Sequence, residues 1–111
     1  MKLIADFSNF ETLDIRVGRV VLVEDAATRK PTYRITVDFG PEIGAKVSCG
    51  AYRRYTKEEL LGKLVIAVVN FGPKKMGSET SEVLILGVPN GSDETVYLTT
   101  ESEVQLGVEV F

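Results

Sequence analysis

Three observations predict a mainly β chain closed into a small five-stranded barrel. Segments rich in β-branched residues follow one another at short spacing, separated by Gly, Pro, Asn and Asp. The clearest helix signal, YTKEELLGK at residues 55–63, falls between the third and fourth of these segments. Turn signals recur too closely for a stack of strand–helix–strand units, which favours a closed sheet.

The first element, FSNFETL at residues 7–13, reads as a short helix in which Ser8 and Glu11 fit a capping box and Phe10 and Leu13 share a face. IRVGRVVLVE, residues 15–24, reads as a long strand, with a bend or bulge expected at Gly18. In TYRITVDFG, Tyr33, Ile35, Val37 and Phe39 alternate with Arg34, Thr36 and Asp38, giving one dry and one wet face. Gly40, Pro41 and Gly44 then bracket a turn into a third strand over residues 45–50.

The second helix carries a fuller signature. Thr56 can cap it while Glu59 completes a capping box, Tyr55 and Leu60 take the staple positions, and Gly62 supplies the left-handed end, leaving barely two turns. LVIAVVNF, residues 64–71, is apolar on both faces, which predicts a strand covered by the barrel on one side and by a second surface on the other. EVLILGV, residues 82–88, is the fifth strand, and two more short strands are expected near residues 94–99 and 104–110. A five-stranded barrel with a helix between its third and fourth strands is the oligonucleotide/oligosaccharide-binding (OB) arrangement, here one domain over residues 1–111.

Composition removes much chemistry. Cys49 is the only cysteine and histidine is absent, which excludes disulfide frameworks, Cys/His zinc sites and imidazole-dependent catalysis. No carboxylate pair, phosphate-cradling glycine loop or metal cluster stands out, so neither an enzyme activity nor a cofactor is expected. No apolar run is long enough to span a bilayer, and MKLIADFSNFETLD lacks the order of a signal peptide, so the cytoplasm is the expected compartment. The net charge of −3 divides unevenly: residues 1–76 carry 13 bases against 9 acids, whereas residues 77–111 carry 7 acids and no base. Such polarity can give two faces of opposite potential.

Basic residues gather near the second helix and the loop NFGPKKMGSE: Arg53, Arg54, Lys57, Lys63, Lys74 and Lys75. Tyr52, Tyr55 and Phe71 interleave with them, and Pro73 stiffens the loop that holds the two lysines. Cations with aromatic rings suit single-stranded nucleic acid or tRNA, and they equally suit an extended peptide, with stems and rings against its side chains. The same arginines could also do no more than solvate the start of a helix.

Taken together, FETLDIRVGRV, TVDFGPEIGAKVS, RRYTKEELLGKLVIAVVNFGPKK and SEVLILG resemble the CsaA proteins, export-related chaperones built on the tRNA-binding OB domain. The resemblance runs collinearly from about Phe10 to Gly91. It implies a homodimer joined through terminal segments and an apolar strand, binding unfolded or preprotein polypeptides. It also implies a basic groove, homologous to a tRNA-contact surface, formed by Ser48, Arg53, Arg54, Asn70, Lys74, Lys75 and Ser81, to which Tyr52, Tyr55 and Phe71 add rings. Where tRNA-binding members usually read Ser-x-Gly-Met, this chain reads Ser81-Glu82-Val83, and Glu79 is a second acid beside the patch. Peptide binding is therefore the expected function, with tRNA or single-stranded nucleic acid as the alternative.

Overall fold

The computed structural model describes all residues, 1–111, as a nearly closed antiparallel barrel with two small ribbons attached. A short helix, α1 (Phe7–Thr12), leads into the strands β1 (Ile15–Asp25), β2 (Tyr33–Asp38) and β3 (Ala45–Gly50). A single helical turn, α2 (Lys57–Leu60), precedes β4 (Leu64–Val68). The first ribbon pairs β5 (Lys74–Met76) with β6 (Glu79–Ser81). The barrel's last strand is the brief β7 (Leu84–Ile85), and β8 (Gly87–Pro89) and β9 (Thr95–Tyr97) form the second ribbon. The sheet order β3-β2-β1-β4-β7, with α2 between β3 and β4, is the predicted OB arrangement.

Alternation in β2 works as its pattern requires. Tyr33, Ile35, Val37 and Phe39 are all buried and join Val20, Leu60, Val65 and Ala67 in one core. β4 is buried on both faces, as its apolar sequence predicts, but the second cover comes from the same chain: Leu64, Val65, Ala67 and Val68 are all buried within the single protomer. That strand therefore gives no ground for a partner subunit.

The bulge in β1 lies at Val21, not at Gly18. The register steps from Val20 opposite Val37 to Leu22 opposite Thr36, leaving Val21 as the additional residue, and Val21 and Leu22 both point outward before Val23 returns to the core. Gly18 serves close packing: a Cβ there would sit 2.5 Å from Val37 Cγ1 and 2.8 Å from the Phe39 ring. Backbone conformation does not demand the glycine; the space belongs to two core side chains.

The caps divide likewise. In α2 both arms of the capping box form, Glu59 N donating to Thr56 Oγ1 at 3.1 Å and Thr56 N to Glu59 Oε1 at 2.8 Å, and Gly62 follows with φ 83°. In α1 the cap is Asp6, whose carboxylate accepts from Ser8 N and Oγ at 3.0 Å, because the helix starts one residue before the Ser8 cap expected. No residue of α1 is buried. Its hold on the barrel is the Asn70 amide, which donates to Thr12 O at 3.0 Å and accepts from Asp14 N at 2.8 Å.

The fifth strand is shorter than expected, breaking at Leu86 so that Gly87–Pro89 can pair with Thr95–Tyr97. Residues 104–110 form no strand; a single bridge joins Glu109 to Arg16. Even so, Val17 N donates to Val108 O, Gly107 N to Val17 O and Val110 N to Ile15 O, so the tail lies along the half of β1 that β2 does not reach.

Tyr52, expected at the binding surface, is instead a core residue whose hydroxyl donates to Ile85 O at 3.0 Å. Burial, with a smaller contribution from Tyr55, pushes its phenol up to about 12. The neutral form is thus favoured on folding, so this contribution is fully present below the unfolded value of about 10 and is lost as pH rises through the folded value. Urea midpoints measured from pH 9 to 12 should fall more steeply for the wild type than for Tyr52→Phe. Gly18→Ala should overpack the barrel and cost about 1–3 kcal/mol by denaturant titration; a midpoint equal to the wild type would refute the packing role.

Candidate functional site

The lysines in NFGPKKMGSE lie on a strand and not in a loop. Gly72, at φ 73°, and Pro73 bring the chain out of β4, and Gly77, at φ 64°, takes the first position of the two-residue turn between β5 and β6, where a primed hairpin favours glycine. Adjacent residues of a strand face opposite ways. Lys74, paired with Ser81, faces a hollow of about 290 Å³ whose walls include Phe71, Met76, Val83 and Leu84, with Cys49 and Glu82 completing the rim. Lys75, paired with Thr80, stands on the ribbon's other face.

The hollow is largely apolar and open. Phe71 and Leu84 are about half exposed, at 52% and 48%, so a second chain could cover both. Glu82 N and Val83 N donate to Val47 O at 2.7 and 3.2 Å, and Cys49 N donates to Ser81 Oγ at 3.0 Å, so these hydrogen bonds fix the hollow's floor to β3. Ser81 Oγ in turn donates to Val83 O at 3.1 Å. Glu82, read from the sequence as a charge facing a ligand, accepts from Val47 N at 3.0 Å, which engages one of its oxygens. Burial, and secondarily Glu79, pushes the Cys49 thiol up.

A second hollow, about 630 Å³, lies between the ribbon turn and the β1–β2 loop. Met76 and Gly77 form one wall, and Ala27, Arg29, Lys30 and Thr32 face them. Arg29 and Lys30 form no ion pair, nor do Lys74 and Lys75.

The expected arginines are differently placed. Arg53 lies 3.0 Å from Asp25 Oδ1, donates to Thr32 O and stacks 4.4 Å above the Tyr33 ring. Arg54 stands 3.8 Å from Glu94 Oε1 and 5.2 Å from the centre of Tyr55, and Tyr55 packs against Tyr97 at 5.0 Å. Asp25 also holds Lys57 at 3.1 Å, and its carboxyl lies below its usual range because of Lys57 first and Arg53 second. Of the ten residues expected at the site, Phe71, Lys74 and Ser81 line the first hollow. Ser48 and Tyr52 are buried, Asn70 anchors α1, and Arg53, Arg54 and Tyr55 form ion-paired or stacked contacts near the start of α2.

Glu79 is not an exposed acid beside the patch. It turns inward and is 8% exposed, because Arg34 and the Ala27 amide receive its carboxylate. Sequence reasoning also passed over Arg29 and Lys30, whose available signal was two adjacent cations in the Pro-terminated stretch TRKP. Leu84, Val83 and Met76 were read only as strand or loop, and hydrophobicity does not distinguish a hollow's wall from a core.

Residues 15–109 match the family model described as "Putative tRNA binding domain". Among solved structures, the CsaA chaperone protein from Picrophilus torridus is 38% identical with a TM-score of 0.92, covering 97% of this chain and 100% of that one. The chaperone CsaA from Bacillus anthracis is 37% identical, also at TM-score 0.92, covering 98% of this chain and 100% of that one. Among curated proteins, the methionine–tRNA ligase of Methanosarcina mazei is 36% identical over 107 residues, which is 96% of this chain and 15% of the ligase. The chain thus spans about 15% of the length of the curated relatives it matches. It belongs to the tRNA-binding-domain family of OB-fold proteins and, within that family, to the CsaA type.

Proposed function

We propose that the protein is a non-catalytic chaperone that captures unfolded or extended polypeptide segments in the hollow beside the β5–β6 ribbon. The observation that carries this reading is the half-exposed pair Phe71 and Leu84 in the lining of an open, mainly apolar hollow, with the unpaired Lys74 at its rim. A client's apolar side chain would leave water for Phe71, Leu84, Val83 and Met76, while Lys74 would steer a carboxylate or carbonyl of the same segment. The likeness to two CsaA chaperone structures over nearly the whole chain supports the same reading.

The acting form is a homodimer. Support comes from the terminal segments: Leu3 and Ile4 are 97% and 98% exposed, Phe7 is 70% exposed, and Phe111 is uncovered as well. Apolar residues gathered at chain ends in this way mark an interaction surface.

A second reading, tRNA binding, is favoured by the family match and by the unpaired Arg29, Lys30 and Lys75 around the β1–β2 loop and the ribbon. Those two connections flank the strands with which OB folds hold oligonucleotides.

The two readings make different demands on neighbouring residues. With a reduced, carboxymethylated, permanently unfolded polypeptide as probe, Phe71→Ala should weaken binding by about tenfold, and titration calorimetry should show a negative heat-capacity change. With tRNA, log affinity should fall with log salt by about 0.7–0.9 per phosphate contact, and Arg29→Ala with Lys30→Ala should flatten that slope by about two contacts. Polypeptide affinity untouched by Phe71→Ala would refute the first reading. Light scattering should return about twice the chain mass of 12.2 kDa, and Leu3→Asp with Ile4→Asp should restore the monomer.

A further inference from the structure

The β5–β6 ribbon carries Lys74 and Met76 over the first hollow and Met76 and Gly77 beside the second, yet its fastening to the barrel is sparse. The end that enters β7 is fixed to β3 through Ser81, Glu82 and Val83. Residues 74–80, by contrast, hydrogen-bond to the rest of the protein only through the Glu79 carboxylate. Oε2 accepts from Ala27 N at 3.1 Å, and Oε1 meets Arg34 Nη1 at 3.4 Å, with Arg34 Nε 3.2 Å from Glu24 Oε1. Ala27 begins the loop that carries Arg29 and Lys30, so one carboxylate ties the ribbon to the loop on the other side of the second hollow.

We infer that Glu79 is a positioning residue: it binds no ligand itself, but it holds the ribbon and the β1–β2 loop at a fixed separation, and thereby sets where Lys74 and Met76 stand over the binding hollow. Three features carry this beyond ordinary packing. The residue is 8% exposed and sits in a three-residue ribbon strand that otherwise has no buried residue, so the fold spends its one buried ribbon position on an acid. The ribbon contributes no residue to the main apolar core, so little else holds its turn end. An unpaired buried carboxylate is costly, so the contact is kept or the ribbon moves as a unit.

The inference rests on the proposed polypeptide-binding role of the hollow, and two measurements separate the two claims. The first is a double-mutant cycle with the reduced, carboxymethylated polypeptide. Lys74→Ala should weaken binding by about fivefold in the wild type and by less than about twofold in a Glu79→Ala background, because a mislocated ribbon no longer presents the lysine. A merely destabilising substitution would leave the effect of Lys74 intact in the folded fraction, so equal factors in both backgrounds overturn the inference. The second measurement is amide hydrogen exchange, which needs no ligand. In Glu79→Ala, exchange at Ala27 and across residues 74–81 should quicken by at least about tenfold while β1 and β2 keep their protection. Unchanged exchange there overturns the tether even if the wild type binds no polypeptide at all, an outcome that would remove the proposed function instead. Should Glu79→Ala fail to fold, Glu79→Asp, one methylene shorter and unable to reach both partners at once, carries both measurements with the same expected direction.

Discussion

An open sheet edge is a row of unpaired amides and carbonyls, and closing the one presented by β3 is the constraint on which the rest of this structure depends. β3 pairs with β2 on one side only. Its other side is closed by an irregular seam: Val47 O takes two amides, Val47 N reaches the Glu82 carboxylate, Cys49 N reaches the Ser81 hydroxyl, and the Ser48 hydroxyl accepts from Ile85 N. Side chains do here what a ladder does elsewhere, so β7 can be only two residues long and the barrel still close. The ribbon springs from this seam, and the first hollow is the space left between them. Barrel closure and the candidate site are therefore one construction, and Ser81 and Glu82 take part in that closure through their hydrogen bonds to β3.

Electrostatics follows from the same folding back. The strongly divided charge of the sequence is partly cancelled by pairing across the fold. Acids from the second part of the chain reach the cations of the first: Glu79 to Arg34, Glu94 to Arg54 and Glu103 to Arg19. Arg53 and Arg54, which the sequence placed at the site, are paired, whereas the lysines of the ribbon and Arg29 and Lys30 of the β1–β2 loop are among the cations without an ion pair. The two exposed pairs, Glu94 with Arg54 and Glu103 with Arg19, contribute little to stability, but each of the three removes a positive charge from the surface a phosphate would meet.

What was legible in the sequence was local. The capping box of α2, the alternation of β2, the apolar β4 and the OB strand order all depend on spacings of a few residues or on their succession, and each is present. The errors arose where a distant segment decided the outcome. Gly18 looked like a bend because nothing in IRVGRVVLVE shows that Val37 and Phe39 fill the space above it. Glu79 looked like a surface acid because its partners, Ala27 and Arg34, lie more than forty residues earlier. The adjacent lysines looked like one feature until their strand placed them on opposite faces. In the candidate site, Phe71, Lys74 and Ser81 were legible because resemblance or loop composition marked them, whereas Leu84 and Val83 carry no sign that separates an open wall from a closed core.

Cys49 gives the molecule an unusual chemical simplicity. It is the sole thiol in 111 residues, it is 8% exposed, and what access it has is through the first hollow. A maleimide or disulfide reagent thus has a single address, and burial keeps that sulfur mostly protonated and slow to react. Its alkylation rate is a native clock for how often the wall around that sulfur loosens, readable by mass spectrometry without an engineered label.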